Sequence, residues 1–182
     1  METKTTPRFN YTPNAWEGSK YRDKQNLYGS SLSKEIRKEL KETFPKCRFS
    51  VTSETYAGGQ SINIALMKAP FKPFNEFNDE IAEKIENNVR RAFPCNWEEM
   101  KEQTIKNYIK YTTVKMYNDI NQYHISDDFW MTDKAREVII RALGIVQSFN
   151  FDDSDAQVDY FHTNFYLHAS IGKWDKPFIQ TK

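Results

Sequence analysis

Ile36, Leu40 and Phe44 recur four residues apart through a stretch otherwise made of Lys, Arg, Glu and Thr, the spacing of one buried face on an α-helix. Ser33 precedes the run as a hydroxyl cap and Pro45 blocks its continuation, so the pattern predicts a helix over about 34–44. Cys47, Phe49 and Val51 then alternate with Arg48, Ser50 and Thr52. After Tyr56-Ala57-Gly58-Gly59-Gln60 the alternation resumes as Ile62, Ile64 and Leu66. A period of two marks strands with one buried face, and the two runs predict a β-hairpin. Gly58-Gly59 supplies the positive φ of its turn. No Lys-Ser/Thr pair follows these glycines and no helix start adjoins them, so they make no phosphate cradle.

Ala69-Pro70-Phe71-Lys72-Pro73-Phe74 reads as a loop, and Phe77, Ile81, Ile85, Val89 and Phe93 then predict a helix over about 78–93, capped by Asn78 and ended by Pro94. Trp97, Met100, Thr104 and Tyr108 fall at helical intervals over 96–109, with Glu98 and Glu99 near the positive helix end. Residues 110–119 fit strand or helix equally. Thr132 caps a further helix, lined by Ala135, Val138, Ile139, Ala142, Ile145 and Val146 and ending near Ser148. Phe161, Thr163, Phe165, Leu167, Ala169 and Ile171 alternate with His162, Asn164, Tyr166, His168 and Ser170, which predicts one long strand. Strands near both ends bracket the helices, so the expectation is an α+β domain over 33–182, a small antiparallel sheet with several helices on one face. The faces Ile36/Leu40/Phe44 and Ile81/Ile85/Val89 are expected on the apolar sides of Phe49/Val51, Ile62/Ile64 and Phe165/Leu167.

Ahead of this domain, residues 1–32 lack sustained periodicity and read as an extended N-terminal arm. Phe9, Tyr11, Trp16, Tyr21 and Tyr28 interleave there with Arg8, Lys20, Arg22 and Lys24, a pattern that can stack on bases while pairing with phosphates. The competing reading is an arm that lies across the core and buries its rings. Composition narrows the choices further. Aromatic residues are 15% of the chain and supply enough apolar mass for a core, which excludes wholesale disorder. The formal charge of +1 gives no long-range field, so any nucleic-acid site must be a local patch. No long apolar run or signal peptide is present, and Cys47 and Cys95 stand alone without metal spacing, so a reduced cytoplasm and no membrane partner are expected. Cys47 shares its parity with Phe49 and Val51 and reads as a small buried hydrophobe.

The densest acidic cluster is Asp152-Asp153-Ser154-Asp155. Its carboxylates have the oxygen chemistry to hold Mg²⁺ or Ca²⁺, but Ser154-Asp155-Ala156-Gln157 also has the form of a capping box with Ser154 as cap. His162 and His168 share a parity, yet six residues at about 3.3 Å each would set them about 20 Å apart on one strand, beyond one coordination shell. No cofactor motif, metal motif or nucleophile elbow is present. Catalytic candidates reduce to Asp152, Asp153, Asp155 and His162. Binding candidates are Trp16, Tyr21, Arg22, Lys24, His162, Tyr166 and His168.

Lys34-Glu35-Ile36-Arg37-Lys38-Glu39-Leu40-Lys41, Phe44-Pro45, Arg48-Phe49-Ser50-Val51 and Tyr56-Ala57-Gly58-Gly59-Gln60-Ser61-Ile62-Asn63-Ile64 resemble the opening of the large polyvalent protein associated domain numbered twenty-nine. Phe149-Asn150-Phe151-Asp152-Asp153-Ser154-Asp155, Val158-Asp159-Tyr160-Phe161, Asn164-Phe165-Tyr166 and Ile171-Gly172-Lys173-Trp174 are similar to its later block, giving coverage of about 33–175. The resemblance implies a small α+β module carried by phages and conjugative elements, with no catalytic residues to transfer. Its expected function is a non-enzymatic binding or accessory module of a mobile element, taking no cofactor and acting on nucleic acid or a host protein. A metal-dependent hydrolase or nuclease using the 152–162 segment is the alternative, and a homo-oligomeric structural protein a third.

Overall fold

The computed structural model describes residues 15–182, so the expectations on Arg8, Phe9 and Tyr11 lie outside the described residues. In chain order the elements are β1 (Trp16–Glu17), α1 (Tyr21–Lys24), α2 (Ser30–Thr43), β2 (Arg48–Tyr56), β3 (Gly59–Ala69), α3 (Asp79–Ala92), α4 (Trp97–Ile109), β4 (Asn118–Ile120), α5 (Asp133–Gln147), β5 (Phe151–Asp152), β6 (Tyr166–Ile171) and β7 (Ile179–Gln180). The described part of the arm lies against the domain. β1 pairs antiparallel with β5, Gly18 donates to Asn150 O at 2.8 Å, and Tyr21 packs its ring on Phe151 at 4.7 Å. A Cβ on Gly18 would stand 2.3 Å from Gln147 O, so only glycine permits this approach.

α2 begins one turn earlier than its periodicity predicts. Leu32 is buried along with Ile36 and Leu40, so the apolar stripe extends back to Gly29, whose φ of 55° starts the helix. Ser33 is therefore not the cap; it lies inside the helix and its hydroxyl donates to Ser30 O. Asn78 and Thr132 do cap α3 and α5, accepting from Ile81 N–H at 2.9 Å and Ala135 N–H at 3.3 Å.

β2 and β3 form the expected antiparallel hairpin, with Gly58 at φ 97° in its turn. β3 then pairs with β6 in parallel, β6 with β4 antiparallel, and β7 adds in parallel to the end of β3. The chain is thus α+β, with a mixed sheet ordered β2-β3-β6-β4 in place of an all-antiparallel one. The parallel pair arises because the chain between β3 and β6 crosses over through the helices and returns in the same direction. β6 starts at Tyr166, five residues later than the alternation implies. Residues 161–164 instead bond to the 151–155 segment, through Asp153 N to His162 O at 2.8 Å and Asn164 N to Phe151 O at 3.2 Å, which leaves the Phe161 ring exposed.

α2 and α5 bury their stripes against Phe49, Val51, Ile62, Ile64 and Leu66 on one face of the sheet. The expectation that α3 lies there is overturned. Ile81, Ile85 and Val89 pack with Tyr108 of α4 in a second cluster, joined to the main core through Trp130. The Arg90 guanidinium lies 3.4 Å over the Trp97 ring and Lys101 pairs with Glu86, two ties that hold α3 to α4, while Arg90 also pairs with Glu86 within α3. Tyr108 donates to Asn75 O at 2.7 Å, and burial pushes its phenol up to about 12. After α4 a π-helical turn over Lys110–Val114 leads through Met116, at φ 46°, into β4, so residues 110–119 contain both helix and strand. Among the described residues no helix is long and apolar enough to cross a membrane.

Candidate nucleic-acid interface

Strand alternation that buries one face of the sheet presents a second face, and the register reads its rows directly. Thr52, Asn63 and His168 form one row, Glu54, Ser61 and Tyr166 the next, and Ser50, Ala65, Ser170 and Asp119 a third. Thr52, Glu54, Asp119, Tyr166 and His168 are exposed. Tyr56 and Tyr28 extend the ring-bearing end, where Tyr28 donates to Gly59 O at 2.9 Å. Burial, with Tyr166 and Tyr28 as neighbours, raises the Tyr56 phenol. Tyr117 donates to Asp119 at 2.8 Å, and burial together with that carboxylate pushes its phenol up to about 12.

A tight turn borders this face. Lys173 and Lys176 exchange backbone hydrogen bonds of 2.8 and 3.1 Å, which places Trp174 at the tip with 78% of its surface exposed. Gly172 makes the entry possible, because its φ is 68° and a Cβ there would stand 2.3 Å from Met116 O. The sheet face and this turn enclose a shallow cavity of about 390 Å³ that includes His168, Asn63, Asp119 and Trp174.

A neighbouring, more enclosed cavity of about 460 Å³ is lined by Arg37, Arg48, Lys68, Lys173 and Lys176 together with Phe49, Val51 and Met67, with no carboxylate among the described residues of its wall. Thr52 and Lys173 line both cavities, so the two adjoin. Arg37 is anchored by donation to Val51 O. Among the described residues none of these five cations has a carboxylate within salt-bridge distance.

The other binding candidates lie elsewhere. Lys20, Arg22 and Lys24 pair with Glu39, Glu17 and Glu35, and the Lys24 ammonium holds the Glu35 carboxyl below its ordinary value. Tyr21 is held on Phe151, and Trp16 is partly exposed in β1. The structure therefore joins Tyr166 and His168 to one surface and leaves Trp16, Tyr21, Arg22 and Lys24 on the β1–α1 segment. Arg48, Lys68, Lys173, Trp174 and Lys176 are not among the binding residues that the sequence singles out. Extending the polar parity of β2 back to Arg48 and reading Gly172-Lys173-Trp174 as a turn point to part of the set, whereas Lys68 has the parity of Ile64 and Leu66 and comes opposite Arg48 only through the register shift between Arg48 and Phe49.

The 152–162 segment makes a self-contained loop. Asp152 accepts from Ser154 N–H at 2.9 Å, and Asp155 accepts from Gln157 N–H at 2.9 Å at the start of a 3-10 turn. Asp155, not Ser154, is thus the cap, because the Ser154 hydroxyl accepts from His162 N–H at 3.0 Å. Asp153 is 1% exposed, with its Oδ2 4.0 Å from His162 Nδ1. The His162 ring sits edge-on to Phe151 at 4.8 Å and 3.2 Å from the Tyr160 hydroxyl. His162 and His168 do not share a strand. Among the described residues no cluster of three or more His, Cys, Asp or Glu side chains is arranged to hold a metal. Cys47 packs against the core, and burial raises its thiol.

The fold is that of a small α+β module with one sheet face covered by helices and the other bearing exposed Thr52, Glu54, Asp119, Tyr166 and His168 around buried Ser61 and Ala65. The model for large polyvalent protein associated domain 29 matches residues 28–129, more than half of the 182, and the chain belongs to that family. The match takes in α2, the hairpin, α3 and α4, and therefore Arg37, Arg48 and Lys68 of the basic cavity. No curated protein and no solved structure matches the chain.

Proposed function

We propose that this chain is a non-enzymatic binding module of a mobile genetic element, working in the cytoplasm, that holds single-stranded nucleic acid across the open face of its sheet. The observation that carries this reading is one sheet surface with exposed Tyr56 and Tyr166 toward the hairpin turn and, at the other end, exposed Trp174 beside five cations that have no acidic partner among the described residues. Trp174, Tyr166 and Tyr56 offer stacking platforms, and each stacked base is worth about 1–3 kcal/mol. The cations at one rim attract the backbone, while Glu54 and Asp119 on the face accept from exocyclic amino groups of bases. A chain with a net charge of +1 binds nucleic acid only if its cations are segregated in this way.

Fluorescence anisotropy with a labelled single-stranded oligonucleotide at low salt tests the reading. Trp174→Ala and Tyr166→Ala should each weaken binding by about tenfold, the loss of one stacked base, whereas Trp16→Ala leaves it unchanged. Absence of binding at low salt overturns the nucleic-acid reading and leaves a protein partner for the same face.

A further inference from the structure

We infer that the basic cavity is a seat for the terminal phosphate of a nucleotide, an inference that rests on the nucleic-acid reading of the adjoining sheet face. An internal phosphodiester carries a single charge and is served by one or two cations along an open groove. Here Arg37, Arg48, Lys68, Lys173 and Lys176 line one cavity, with no carboxylate among the described residues of its wall. That concentration of charge matches a phosphate monoester, which carries about −1.5 to −2 at neutral pH and presents three acceptor oxygens. The volume of about 460 Å³ is that of a small-ligand pocket. Phe49, Val51 and Met67 add apolar lining, and the lower local dielectric strengthens the attraction for an anion.

Two features prepare the seat before a ligand arrives. Arg37 is fixed by its bond to Val51 O, so its guanidinium loses little freedom on binding. The backbone positions of Lys173 and Lys176 are set by the two hydrogen bonds of their turn. Lys173 also lines the sheet-face cavity, so a phosphate in the seat delivers the attached nucleoside toward Trp174 and His168. The same chemistry is offered by the end of a strand and by a free mononucleotide.

The test uses the full chain and decamers labelled at one end that carry a phosphate or a hydroxyl at the other, with 5′ and 3′ versions of each. At least one phosphate-ended strand should bind about tenfold more tightly than its hydroxyl-ended twin. In Arg48→Gln/Lys68→Gln the phosphate- and hydroxyl-ended strands should bind equally, both more weakly than to the wild type because these cations also attract the backbone, and Lys34→Gln should retain the advantage; thermal unfolding of each variant confirms that it is folded. Calorimetry with a nucleoside monophosphate and with inorganic phosphate separates the two sources. A free nucleotide that binds as tightly as the strand end, with the same dependence on Arg48 and Lys68, makes the mononucleotide the ligand and supports the seat. Equal binding of phosphate and hydroxyl ends overturns the seat and leaves the sheet-face reading intact. Binding of the mononucleotide without any binding of hydroxyl-ended strands supports the seat and overturns the sheet-face reading. Failure of every probe overturns both.

Discussion

Gly172 shows how one residue sets the geometry of a surface. Its positive φ and the 2.3 Å approach of a built Cβ to Met116 O leave no room for a side chain, and the turn holding Lys173, Trp174 and Lys176 depends on it. Gly172→Ala should lower stability by at least about 1–3 kcal/mol, the cost of a forced backbone conformation, read by urea denaturation. Asp128 makes a different local point. Its Oδ2 is buried without a hydrogen-bond partner, and burial raises its carboxyl above the ordinary value despite the Trp130 indole and the Arg136 charge. The folded state then holds this proton to higher pH than the unfolded chain, so the contribution of Asp128 to stability falls as pH rises from about 4 through its raised value. Asp128→Asn keeps an acceptor for the indole and removes the charge. It should increase stability at neutral pH relative to the wild type, with the difference shrinking as pH falls toward 4, as followed by denaturation midpoints across that interval.

At the scale of elements the chain carries two packing units of unequal depth. α2 and α5 close on the sheet in one large cluster, whereas α3 and α4 share a small one reached through Trp130. Few buried apolar contacts mean a lower opening free energy. Amide hydrogen exchange should therefore be faster in α3 and α4 than in α2, β3 and α5. Leu40→Ala should cost about 2–5 kcal/mol of global stability because its side chain is fully buried. Ile85→Ala should instead accelerate exchange in α3 and α4 with a smaller change in the global midpoint. Equal protection across all helices would overturn the division.

For the whole molecule, the distribution of charge matters more than its sum. The cations of the β1–α1 segment are paired within the chain, while those of the basic cavity have no acidic partner among the described residues. Oligonucleotide binding should therefore weaken with salt at a slope of about −0.7 per phosphate contact on a single strand. That slope should become shallower in Arg48→Gln/Lys68→Gln and stay unchanged in Arg22→Gln, measured by anisotropy over a salt series. Much of the fold was legible in the order of residues, because helix and strand periods are local. The stripe of α2, the Gly58 turn, the Asn78 and Thr132 caps and the α+β class all follow from side chains within a few positions of one another. The family resemblance was legible in the same stretch. Tertiary structure alone decided that α5 and not α3 covers the sheet, that β6 joins β3 in parallel, and that residues 161–164 bond to the 151–155 segment instead of extending β6. It also brought Arg37 and Arg48 within one cavity wall of Lys173 and Lys176. Periodicity reports which side of an element is buried and says nothing of what buries it; partners distant in sequence are chosen by the crossover path and by competition among several apolar faces for one sheet.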